Sequence, residues 1–276
     1  LPLAHAPAPC DAEGECAEVR AAVARAEADH ASEMRMGREA FALHAAARPA
    51  QPRVFTSADF VQTRLGGPAA VEGLPRGADA AHETVEPLLS PEECDAIVEE
   101  AAAAIGAGAR SRFTYTAAAG LHEVHLLRLP RARAWLARAL RERFWPAAGA
   151  CFGVDPRDLA VYDALVIRYT AGPGPRPGTD PARQPVHRDG ATVSCNVALC
   201  EAGTDFRGGG GTWFERPRCA VRPRKGHCVL HASEQRHAGH RIQAGHRWVL
   251  VLFALAERAP GVPRRLGDAA AAAGVG

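Results

Sequence analysis

Ala191-Thr192-Val193-Ser194-Cys195-Asn196-Val197-Ala198-Leu199 is the stretch whose period decides the fold. Ala191, Val193, Cys195, Val197 and Leu199 fall on one face of an extended chain, and Thr192, Ser194 and Asn196 on the other. A period of two is that of a β-strand. Upstream, Ala164-Leu165-Val166-Ile167-Arg168-Tyr169 reads as a buried strand. Downstream, further strands are expected at Trp213–Phe214, Cys219–Arg222, Cys228–His231 and Arg247–Ala254, divided by short turns rich in Pro and Gly.

The half of the chain before Leu159 has a different period. Ser90-Pro91-Glu92-Glu93 is a helix start, with Ser90 and Glu93 spaced to cap each other and Pro91 at the first helical position. Cys94, Ile97, Val98 and Ala101 then form an apolar stripe. A second helix is expected from Arg131 to Phe144, with Trp135, Leu136, Ala139, Leu140 and Phe144 in the core and Pro146 as its stop. Thr84–Leu89 and Arg53–Phe55 suggest short strands, and Ser111–Leu129 one or two more. Helices followed by many short strands imply an α+β chain: a double-stranded β-helix (jelly-roll) barrel with helices packed on one side.

The expected organisation has three parts. Residues 1–83 read as an Ala-rich extension, with a helix over Asp11–Ala47 and a linker; 84–260 form the compact domain; 261–276 form an Ala/Gly-rich tail. Arg supplies nearly all the basic residues, so blocks of Ala and Arg reflect composition more than function. A net charge of +2 gives no reason to expect nucleic acid, and no apolar run is long enough for a membrane span. The 8 cysteines form no Cys-x-x-Cys pair, which argues against a structural zinc site; their even number permits disulfides without requiring them.

The chemistry-bearing residues lie among the strands. His187-Arg188-Asp189 places two residues of metal-binding type one apart, so in an extended segment both face one ion. A non-haem iron site needs two His and one carboxylate on one face, with the remaining positions open. Taken alone, His-x-Asp also suits a surface loop. The third ligand must come from a distant strand, where His227, His231, His237, His240 and His246 all lie. We select His237, because Arg247 follows ten residues on and Gly245 allows a turn between them; His240 is the rival. Arg247 heads an apolar strand, where a guanidinium needs an anion and can grip both oxygens of a carboxylate. Gly208–Gly211 lacks the Gly-Lys-Ser/Thr ending of a phosphate loop and reads as a close approach between strands.

From Ala164 to about Arg258 these pieces resemble the iron(II)- and 2-oxoglutarate-dependent hydroxylases of the prolyl 4-hydroxylase and procollagen lysyl hydroxylase group. The resemblance is carried by Gln184-Pro185-Val186-His187-Arg188-Asp189, Asn196-Val197-Ala198-Leu199, Asp205-Phe206-Arg207-Gly208-Gly209-Gly210, Pro223-Arg224-Lys225-Gly226, His237-Ala238-Gly239 and Gly245-His246-Arg247-Trp248. Several of these pieces stand closer to lysyl than to prolyl hydroxylases. The loop 172–182 departs from the family pattern, and 111–129 offers no substrate-side match.

The resemblance implies that His187, Asp189 and His237 bind Fe(II), that Arg247 pairs with 2-oxoglutarate, and that Tyr169, Thr192 and Asn196 line the co-substrate pocket. It implies dioxygen as co-substrate, L-ascorbate as reductant of the iron, and hydroxylation of an unactivated C–H bond with release of succinate and CO2. A prolyl or lysyl residue of a peptide or protein is the expected substrate. The alternatives are the same chemistry on a free small molecule, a non-catalytic binding module, or a zinc hydrolase. The family's secretory location, the endoplasmic reticulum lumen, is favoured over the cytoplasm.

Overall fold

The Ser90 start is realised as an N-terminal cap. The Glu93 N–H donates to Ser90 Oγ at 3.2 Å, and the Ser90 N–H donates to the Glu93 carboxylate at 2.9 Å. Helix α1 (Pro91–Gly106) follows and buries Cys94, Ile97 and Ala101. The computed structural model describes residues 51–109, 120–174 and 178–256. The expected helix at Asp11–Ala47 and the tail 261–276 lie outside them.

Helix α2 (Pro130–Ala139) has no capping side chain of its own. Glu100 of α1 does that work, accepting from the N–H groups of Arg131 and Ala132 at 2.9 and 3.0 Å. Pro146 does not stop the helical run, contrary to the sequence expectation. A π-helical stretch, Leu140–Phe144, leads directly into α3 (Trp145–Phe152), and Pro146 sits in the first turn of α3. There its missing N–H is harmless, and the wider π turn makes room for its ring.

Among the described residues, eleven strands follow the chain order β1 (Phe60–Arg64), β2 (Ala80–Thr84), β3 (His122–His125), β4 (Leu159–Thr170), β5 (Val193–Ala198), β6 (Phe206–Gly209), β7 (Thr212–Phe214), β8 (Cys219–Val221), β9 (Cys228–Ala232), β10 (His237–Gly239) and β11 (Ile242–Ala256). The larger sheet has the antiparallel order β1-β2-β9-β5-β11-β4-β3, with β6 joined to the first part of β11; β10-β7-β8 forms the smaller sheet. The result is a jelly-roll with helices against one face of the larger sheet. Every residue of β5 is buried. Val193, Cys195 and Val197 join the main core with Leu136, Phe144 and Phe152, while Ser194 and Asn196 face the space between the sheets.

Two boundaries differ from expectation. The sheet does not begin at residue 84: β1 and β2 are its edge, with Phe60 opposite Thr84 and His82 opposite Leu230. Pro and Gly around this ribbon mark tight turns here, not a linker. Arg53–Phe55 is not a strand, and Leu88 and Leu89 instead donate their amides to the Gly226 carbonyl. No helix among the described residues is long and apolar enough to cross a membrane. The described cysteines are all free thiols.

One ion pair ties α1 to the π stretch. Arg143 grips Glu93 with both nitrogens, at 2.6 and 2.7 Å, and also donates to the Leu88 carbonyl. Partial burial pushes the Glu93 pKa up, but Arg143 and the Ser90 N–H outweigh it, so the net shift is downward. A lowered carboxylate pKa stabilises the fold above the unfolded-state value, and that contribution is lost as pH falls through the folded-state value. Arg143→Met is expected to destabilise the protein by about 1–3 kcal/mol at neutral pH. Urea melts should show the difference shrinking once Glu93 is protonated; a pH-independent difference contradicts this account.

Candidate iron and co-substrate site

His187 and His237 are brought face to face by the backbone. The His187 N–H donates to the His237 carbonyl at 2.8 Å, and the His237 N–H returns the bond at 3.0 Å. Two residues on, the Asp189 N–H donates to the Ser233 carbonyl at 3.0 Å, which turns its carboxylate between the two rings. His187 Nε2 lies 3.4 Å from Asp189 Oδ1, and His237 Nε2 3.4 Å from Oδ2. One atom from each of the three falls within 4.8 Å of the others, a spacing that can hold a metal ion.

The tautomers suit that use. His187 Nδ1 is 2.8 Å from the Pro185 carbonyl, and His237 Nδ1 is 2.9 Å from the Gln235 carbonyl. A carbonyl only accepts, so each proton sits on Nδ1 and each Nε2 keeps its lone pair toward Asp189. Burial raises the Asp189 pKa, but His187, His237 and the Ser194 hydroxyl more than offset it and hold the group at about 2. Ser194 Oγ donates to Asp189 Oδ2 at 2.5 Å and lies 2.8 Å from Ser233 Oγ. His237 is pushed down by burial; in His187 burial acts the same way, but the Asp189 carboxylate wins and the net shift is upward.

The triad opens into a cavity also lined by Tyr169, Gln184, Asn196, Thr212 and Arg247, with Ile167, Val249, Val251 and Phe253 as its apolar wall. Arg247 enters because it stands opposite Tyr169 in the β4–β11 register. It is 5% exposed, its guanidinium carbon lies 4.9 Å over the Tyr169 ring, and its Nη1 has no hydrogen-bond partner. A buried guanidinium nitrogen without an acceptor fits a site for an anion. Tyr169 donates its hydroxyl to Gln184 Oε1 at 3.0 Å. These residues fit an iron ion with a carboxylate co-substrate beside it: three ligands of the required type and, across the same cavity, a buried guanidinium with one nitrogen that has no partner among the described residues.

Asn196 lines the cavity in a fixed orientation. His231 is fully buried, and its Nδ1 is 2.9 Å from the Ala232 carbonyl. Burial, followed by the neighbouring His237, lowers the His231 pKa to about 3, so the ring is neutral and Nε2 can only accept. Asn196 Nδ2, 3.2 Å away, must therefore donate to it, which leaves the amide oxygen on the opposite side.

The structure does not bring Thr192 to the cavity. Its hydroxyl accepts from the Ala256 N–H at 3.2 Å, because Thr192 precedes the first residue of β5 and meets the end of β11 instead. His240 lies outside the triad, with its ring beside Gly209. Of the residues not expected here, Ser194 shares the face of Asn196 and was accessible to strand parity. Gln184 stands in the quoted motif and His231 among the candidate histidines, each without the role seen here, and Thr212 carries no local signal.

Gly239 shows how tightly the site is built. A Cβ at this position would strike the Tyr169 hydroxyl and ring. Gly239→Ala is expected to displace Tyr169, break its bond to Gln184, and weaken 2-oxoglutarate binding by about tenfold, the equivalent of one hydrogen bond. Titration of the co-substrate into the variant tests this; unchanged affinity means Tyr169 has no part in binding.

No family model matches the chain. The multifunctional procollagen lysine hydroxylase and glycosyltransferase LH3 of Rattus norvegicus is 33% identical over 177 residues, which is 60% of this chain and 22% of that protein. Procollagen-lysine,2-oxoglutarate 5-dioxygenase 1 of Mus musculus is 38% identical over 93 residues, 33% of this chain and 12% of its own length. The chain thus spans less than a quarter of the length of these curated relatives. Among solved structures, the epimerase SnoN in complex with Fe3+, alpha ketoglutarate and nogalamycin RO superposes with a TM-score of 0.50 at 16% identity, over 71% of this chain and 86% of that one. That likeness is one of fold.

Proposed function

We propose that this chain, which is related to the iron(II)- and 2-oxoglutarate-dependent dioxygenases of the prolyl 4-hydroxylase and procollagen lysyl hydroxylase group, hydroxylates a prolyl or lysyl residue of a peptide or protein. The observation that carries the reading is the pairing, in one cavity, of the His187–Asp189–His237 triad with the buried Arg247 guanidinium, whose Nη1 has no partner among the described residues. A zinc hydrolase would leave that cation unexplained, and a non-catalytic module has no need to keep both halves.

When bound, iron and 2-oxoglutarate would supply the chemistry by which dioxygen is reduced, one oxygen atom entering succinate as CO2 is lost and the other entering a C–H bond of the substrate. The protein's residues do the positioning. His187 and His237 offer Nε2 lone pairs, with each ring held by a backbone carbonyl. Asp189 stays ionised, steadied by Ser194. Arg247 binds the distal carboxylate of 2-oxoglutarate against the Tyr169 ring. Ile167, Val249, Val251 and Phe253 keep the reacting region dry and confine the oxidant to the bound substrate.

Identity of 33% and 38% to two procollagen lysine hydroxylases supports a peptidyl substrate over a free small molecule. Mass spectrometry of proline- and lysine-containing peptides incubated with the protein, iron(II), 2-oxoglutarate and ascorbate tests the reading. A gain of one oxygen on a prolyl or lysyl residue, with stoichiometric succinate, is expected. Succinate release that no peptide stimulates, with no peptide modified, overturns the substrate assignment.

A further inference from the structure

We infer that Ser194 and Ser233 form a hydroxyl relay that positions Asp189 for the metal, Ser233 acting through Ser194; the inference rests on the metal site proposed above. Both serines are positioning residues for the one carboxylate of the triad.

The three ligands are not held in the same way. Each histidine ring is fixed by a backbone carbonyl, His187 by that of Pro185 and His237 by that of Gln235. A backbone carbonyl is there whatever residue supplies it. The Asp189 carboxylate is oriented instead by side chains, so its direction depends on which residues stand at 194 and 233. The strands bring those two together. Ser194 of β5 stands opposite His231 of β9, and Ser233 lies two residues beyond His231. By the period of an extended chain it shares the face of His231. Both serines are fully buried, so water does not compete for their hydroxyls.

The direction of the protons follows from the acceptors. An ionised carboxylate can only accept, so the 2.5 Å contact to Asp189 Oδ2 uses the Ser194 proton. With that proton committed, the Ser194 oxygen accepts from Ser233 Oγ, 2.8 Å away. The chain runs from the Ser233 hydroxyl to the Ser194 hydroxyl to Asp189, and each bond polarises the next. The last bond is charge-assisted and belongs to the stronger kind. Ser233 also accepts the Asp189 N–H on its own carbonyl, at 3.0 Å. It therefore holds Asp189 directly at the backbone and, through Ser194, at the carboxylate. Ser233→Ala removes the second hold and keeps the first.

Isothermal titration of the full chain with manganese(II), without co-substrate, tests the relay. Ser194→Ala should bind the ion about tenfold more weakly than the parent, the lower end of the loss seen when a group that orients a ligand is removed. Ser233→Ala should fall between the two. The double variant should bind no more weakly than Ser194→Ala, because Ser233 has no route to the carboxylate once the Ser194 hydroxyl is gone. The visible spectrum of cobalt(II) in the site, which reports ligand geometry, should change in both single variants. Urea melts of the metal-free proteins identify a variant that does not fold; if Ser194→Ala is one, Ser233→Ala decides alone. The relay is overturned if either single variant binds manganese as the parent does, if the two losses multiply in the double variant, or if the cobalt spectrum of Ser194→Ala is the parent's. In each of these outcomes the parent still binds metal, and the proposed function stands. A parent that binds no manganese overturns the relay and the metal site together.

Discussion

Arg247→Glu is expected to abolish binding of 2-oxoglutarate while leaving metal binding intact. Arg247 is buried at the head of β11 over the Tyr169 ring, and one of its nitrogens has no acceptor. A charge-assisted, two-point grip on a carboxylate contributes about 3 kcal/mol or more, so its loss alone lowers affinity at least about 100-fold. A glutamate adds repulsion in a site with little water. Arg247 is not among the residues that gather around Asp189, so the metal should still bind. Titration of 2-oxoglutarate into the metal-loaded variant measures the effect, and an affinity like the parent's would sink the role assigned to Arg247. Arg247→Met, which removes the cation without burying a carboxylate, serves as the folding control and should likewise lose 2-oxoglutarate.

His237→Ala is expected to lose both metal binding and turnover, whereas His240→Ala keeps them. His237 is 5% exposed, and its Nδ1 proton is committed to the Gln235 carbonyl, so Nε2 is preset for a metal. Removing even a residue that only orients a metal ligand lowers affinity about 10–100-fold, and removing a ligand should exceed that range. His240 is three residues on, beside Gly209. Anaerobic titration with iron(II), alongside succinate release, separates the two histidines. Loss of metal in His240→Ala with retention in His237→Ala would reverse the assignment.

The sequence by itself determined the architecture and the main parts of the candidate site. Alternation through Val193–Ala198 and the apolar run in β4 specified strands, because a side-chain period of two is visible within a few residues. The α1 cap was legible for the same reason, since Ser90 and Glu93 satisfy each other locally. His187, Asp189, His237 and Arg247 were legible through their residue types and spacing, and the structure gathers all four around one cavity.

What depended on distant partners was decided only by the tertiary structure. Glycine-rich β6 and three-residue β10 carry no strand period; they extend because β11 and β7 offer them hydrogen bonds. Pro146 could continue a helical run only because the π stretch before it widened the turn. The β1–β2 ribbon joined the sheet because β9 presented an open edge. Thr192 has the right parity for the pocket but lies beyond the start of β5, where the Ala256 N–H takes its hydroxyl. The protons of His231 and His82 are placed by the carbonyls of Ala232 and Gly77. A hydrogen bond across a fold depends on where two segments meet in space, and a one-dimensional pattern does not contain that distance.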